Sequence, residues 1–88
     1  MIFIALARFR RKLTRDDVAL ASKLFEQMSK EGVKILGIYF TLGRYDAVNI
    51  VEGPDEKTAM RWMLRFGDIE SFDTLVAIPR EEAMKLVE

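Results

Sequence analysis

The sequence predicts an α+β domain in which two helices cover one face of a four-stranded antiparallel sheet. Three observations carry that prediction. Four runs of branched and aromatic residues alternate with two stretches of helical apolar spacing, in the order β-α-β-β-α-β. The chain has 88 residues, 50% hydrophobic and 32% charged, a composition that folds around one core. No repeat, low-complexity tract or Pro/Ser-rich linker divides it, so residues 1–88 read as a single domain.

Each element has a local cause. The stretch from Ile2 to Arg10 is rich in branched and aromatic residues and reads as a first strand. It is too short and wrongly flanked to be a signal peptide or a membrane span, so a cytoplasmic protein without membrane attachment is expected. Thr14 offers an N-cap with Asp17 as its capping-box partner, and Asp16 and Asp17 suit the positive end of a helix dipole. Val18, Ala21, Leu24, Phe25 and Met28 form the apolar stripe of a helix running from about Arg15 to Glu31, with Gly32 as its stop. Two strands follow, from Lys34 to Leu42 and from Asp46 to Glu52. A three-residue loop, Gly43-Arg44-Tyr45, would pair Phe40 with Val48 and Ile38 with Ile50, collecting the bulkiest residues on one face. Gly53-Pro54-Asp55-Glu56 opens a second helix with Ala59, Met60, Trp62, Met63 and Phe66 on its buried side and Gly67 at its end. Ser71 to Ile78 is the fourth strand, and Pro79 starts a short terminal helix through Val87.

This is the split βαβ, or ferredoxin-like, order, and right-handed crossovers give the strand sequence 4-1-3-2. Two helices cover only one side of such a sheet. The other face is expected to carry Phe3, Ala5, Ala7, Gly37, Tyr39, Thr41, Ala47, Asn49 and Val51, a surface too apolar to remain in water. Its small residues would admit a second sheet. A homodimer through the open face is therefore expected, burying on the order of 1,200–2,000 Å².

Composition removes several functions. Fourteen basic and fourteen acidic residues cancel, which argues against a dedicated nucleic-acid binder. Base stacking on the third strand would need aromatics where Ala47 and Asn49 stand. With no cysteine and no histidine, the usual zinc ligands, a thiolate nucleophile and the commonest haem ligand are missing, so no cofactor and no metal is expected. One Asn and one Gln in the whole chain point towards a heat-adapted source.

The stretch Ile38-Tyr39-Phe40-Thr41-Leu42-Gly43-Arg44-Tyr45-Asp46-Ala47-Val48, followed by Val51-Glu52-Gly53-Pro54-Asp55-Glu56, resembles the GYD domain family, small prokaryotic proteins named for a Gly-x-Tyr-Asp hairpin, here Gly43, Tyr45 and Asp46. The resemblance is dense from Tyr39 to Ala59. Near the end the chain departs from the family's pattern, with Gly67-Asp68-Ile69-Glu70 and a single Thr74. It implies a ferredoxin-like fold of the dimeric α/β-barrel type, and it carries no catalytic residues because the family has no established activity.

Two readings of the hairpin stay open. In one, Gly43 supplies a turn with positive φ, Asp46 bonds loop amides, and the Tyr45 ring covers the end of the sheet. In the other, Arg44, Tyr45 and Asp46 rim a ligand pocket. Arg8, Arg10, Arg11, Lys12 and Arg15 crowd the neighbouring loop, and with Arg44 they would make a positive edge for a small anion. On the open face, Tyr39, Thr41 and Asn49 would form a polar cluster. The candidate ligand residues are thus Tyr39, Thr41, Asn49, Arg8 and Arg44. A non-enzymatic homodimer that binds a small ligand is the leading expectation. A cofactor-independent enzyme of oxygenase or isomerase type, using Tyr39 and Asn49, is the alternative.

Overall fold

The computed structural model describes residues 1–87. Strands β1 (Ile2–Phe9), β2 (Lys34–Phe40), β3 (Ala47–Glu52) and β4 (Glu70–Ala77) alternate with helices α1 (Arg15–Lys30) and α2 (Glu56–Arg65), and a short α3 (Arg80–Met84) follows. All pairings are antiparallel. Counted from the β2 edge the order is β2-β3-β1-β4. Counted from the β4 edge the same sheet reads 4-1-3-2.

The helix ends form as their residues dictate. Thr14 and Asp17 make a reciprocal capping box at α1, and Gly32, just past its end, takes φ 82°, a conformation that favours glycine. Asp55 caps α2 by accepting from the Thr58 amide. The core lies between the helices and the sheet, built from Phe3, Met28, Val33, Val51, Ala59, Trp62 and Phe66. Val18 and Met60, expected on buried helix stripes, are instead 54% and 64% exposed. Both stripes are narrower than the periodicity suggests, because two helices on a four-stranded sheet leave their outer flanks uncovered.

The main correction concerns which face of the sheet the helices cover. Phe3, Ala5, Ala7, Ala47 and Val51, expected on the open face, are almost fully buried, and Phe3 and Val51 belong to the core under the helices. Strand alternation then puts Ile2, Ile4, Leu6, Val48, Ile50 and Leu75 on the open face. The hairpin register differs too. Thr41 N–H donates to the Asp46 carbonyl at 2.9 Å, so the loop is Leu42–Tyr45, four residues rather than three. Tyr39 accordingly pairs with Val48 and Ile38 with Asn49. A one-residue change in loop length moves every β2 side chain relative to β3. A bulge between Ile35 and Gly37 then returns Ile35 to the core side opposite Val51.

Candidate functional site

The Gly-x-Tyr-Asp hairpin is tied down on every side. Gly43 holds φ 97°, where a side chain would be strained. The Thr41 hydroxyl donates to the Tyr45 carbonyl at 2.6 Å and closes the turn. Asp46 was expected to bond loop amides; instead its Oδ2 accepts from Phe9 N–H at 2.8 Å, while its own N–H donates to the Ala7 carbonyl at 2.8 Å. Asp46 thus fastens the hairpin to the end of β1. Tyr45 reaches across the sheet, and its hydroxyl donates to Asp73 Oδ2 at 2.7 Å. That hydrogen bond to a carboxylate holds the Tyr45 phenol above its ordinary pKa. The Arg8 guanidinium lies 5.1 Å from the Tyr45 ring centre, and its Nε donates to the Arg44 carbonyl at 3.2 Å.

Arg8, Arg44 and Tyr45 are therefore brought together at one end of the open face. Two cations of the wider positive edge turn to separate partners. Arg10 donates to the Gly67 carbonyl, and Arg11 forms a two-pronged pair with Asp17. The Arg11 guanidinium, with the Thr14 amide, holds the buried Asp17 carboxyl well below the usual carboxylate range.

Tyr39, Thr41 and Asn49 do not converge. Tyr39 is on the open face with its ring against Gly37, and Thr41 is spent on the hairpin. Asn49, opposite Ala5 and Ile38, is on the helix-covered face. The Tyr39–Asn49 constellation required by the enzymatic alternative is thus divided by the sheet itself.

Asn49 instead lines a cleft of about 190 Å³ between α1 and the sheet. Its floor includes Ala47, and its walls include Phe25, Ile38, Phe40 and Phe66. Glu70, not foreseen from the sequence, lines it at the start of β4, where burial pushes the carboxyl above its ordinary pKa. No local signal marked it in advance, because Glu70 shares β4 with Ser71, Asp73 and Thr74 and reads as one polar residue among several. Among the described residues no three acidic side chains are grouped closely enough to hold a metal ion, and no helix is long and apolar enough to cross a membrane.

No curated protein matches the chain. The family model described as GYD domain matches residues 3–87, nearly the full length, and spans both the hairpin and the cleft. On that coverage the chain belongs to the GYD domain family.

Proposed function

We propose that the chain acts as a homodimeric, non-catalytic domain whose two sheets pack open face to open face. One observation carries this reading. Ile4, Leu6, Val48 and Ile50 lie side by side on the two central strands, extended by Ile2 and Leu75, while α1 and α2 pack on the opposite face. Such a continuous apolar surface is unusual on a monomer.

The charges around it favour a second copy as the occupant. Strand alternation puts Lys34 and Glu52 at one end of this face, and Arg8 and Asp73 at the other. Each end carries charge of both signs, so an identical face can meet opposite charges in a twofold arrangement. A strongly charged partner would gain nothing here.

Native mass spectrometry tests the proposal. The chain is 10.2 kDa, so the dimer is expected at twice that mass, 20.4 kDa. A species that stays at 10.2 kDa at micromolar concentration refutes it.

A further inference from the structure

We infer that the cleft between α1 and the sheet is a binding site for an uncharged, single-ring molecule carrying a hydroxyl or carbonyl oxygen, recognised by the Asn49 carboxamide. This does not rest on the dimer, because the cleft lies on the opposite side of the sheet.

The size sets the first limit. A cavity of about 150 Å³ with apolar walls holds benzene. At about 190 Å³ this cleft holds one ring with one small substituent. The cleft follows directly from the small residues on this face. Ala47 lies beneath it and Ala21 of α1 above it, so neither layer fills the gap that Phe25, Phe40 and Phe66 surround.

The polar group sets the second limit. Among the described residues, the half-buried Asn49 side chain has no hydrogen-bond partner, and the only other uncharged polar side chain lining the mostly apolar cleft is that of the exposed Ser22. A carboxamide both donates and accepts, which matches a hydroxyl and, through its N–H, a carbonyl. Charge of either sign is unsuited. The charged residues lining the cleft are Asp17 and Glu70. Asp17 is already engaged by Arg11. Glu70 lies opposite Phe9, whereas Asn49 lies opposite Ala5 on the other side of β1. Strand spacing puts these two roughly 16 Å apart at Cα. No cation among the described residues lines the cleft to pair an anion, and an ammonium at the Asn49 end would lie far from Glu70.

The composition supplies a clean readout. Asn49 and Gln27 are the only side-chain carboxamides, so their NH₂ groups give just two pairs of signals in an amide NMR spectrum. Phenol, toluene, benzoate and benzylamine are titrated into the ¹⁵N-labelled protein at neutral pH. Phenol is expected to move the Asn49 pair saturably and leave the exposed Gln27 pair in place, with toluene binding about tenfold more weakly, the loss of one hydrogen bond. Benzoate and benzylamine are expected to bind more weakly still. Asn49→Leu, an apolar replacement in a half-buried site, is expected to keep the folded spectrum while abolishing the preference for phenol over toluene. Ala21→Leu, which fills the cleft from the helix side, is expected to weaken both. An Asn49 pair that stays in place under saturating phenol, an Asn49→Leu variant that still prefers phenol, or tighter binding of benzoate or benzylamine overturns the inference.

Discussion

Leu75→Lys separates the proposed interface from the stability of the monomer. Leu75 is 51% exposed, so about half of its side-chain transfer energy is still available for burial against a second copy. Full burial of a leucine is worth about 1.5–3 kcal/mol, which leaves roughly 1 kcal/mol per copy and roughly 2 kcal/mol per dimer. Losing it raises the dissociation constant about 30-fold. Lysine adds the repulsion of two like charges at a twofold interface, so 30-fold is the lower bound. The monomer itself should change by no more than about 0.5 kcal/mol, because the position is already half in water. Val76→Lys is the matched control. Val76 is the next residue in β4, 59% exposed, and points to the opposite face, into the groove beside α2. Sedimentation velocity over a concentration series reads the result. Leu75→Lys should shift the transition to higher concentration and Val76→Lys should leave it unchanged. Equal behaviour of the two variants, or dissociation by Val76→Lys alone, would mean that the open face is not the contact.

Three further outcomes follow from local chemistry. Thr14→Ala removes the acceptor for the Asp17 amide and should lower stability by about 1 kcal/mol, a fall in Tm of roughly 4–8 °C by calorimetry. Glu70 holds its proton more tightly folded than unfolded, so its carboxyl lowers stability as pH rises from the ordinary glutamate range to the raised folded value. Glu70→Gln should therefore raise Tm at pH 7, with the gain vanishing below the ordinary glutamate pKa; a gain that persists in acid would show that charge is not its cause. Asp73→Asn removes the carboxylate that the Tyr45 hydroxyl donates to, so the Tyr45 phenol should ionise at lower pH in an ultraviolet alkaline titration, with Tyr45→Phe identifying its component.

The order of elements, the Thr14–Asp17 cap of α1 and the Gly32 stop could be read from local residue chemistry, because caps and periodicity act within a few positions. Asp55, expected inside the first turn of α2, is instead its N-cap. The face of the sheet could not. In β1 both alternating sets are apolar, Phe3, Ala5 and Ala7 on one side and Ile2, Ile4 and Leu6 on the other. Hydrophobicity does not choose between them, and bulk misleads. The side that carries alanines is the one buried, since it receives the large side chains of Trp62, Phe66 and Met28 from above. The hairpin added a second ambiguity. Whether its loop has three or four residues depends on Asp46 reaching back to β1, a contact between residues 37 apart in sequence. Gly43, Tyr45 and Asp46 were identifiable as a unit, but the partners of Tyr45 and Asp46 lie on β1 and β4. Glu70 was invisible as a site residue because its altered proton affinity comes from burial, which only the tertiary fold creates.

The inversion of the faces also separates two properties that the sequence had run together. Small residues and Asn49 were expected to serve the dimer, with a ligand held between the sheets or at the basic edge. In the folded chain the small residues and Asn49 lie under α1, and the large branched residues face outward. Apolar bulk outside favours self-association, and missing bulk inside leaves a cleft. Each property then has its own residues on its own side of β3, where Val48 and Ile50 point one way and Ala47 and Asn49 the other. The two should respond independently, since non-contacting sites couple weakly. Leu75→Lys should leave phenol binding to the cleft unchanged, and Asn49→Leu should leave the sedimentation of the dimer unchanged. Measured on the same pair of variants, a change in both properties from either substitution would show that the cleft and the interface are one site, and the division of the sheet into two working faces would fall.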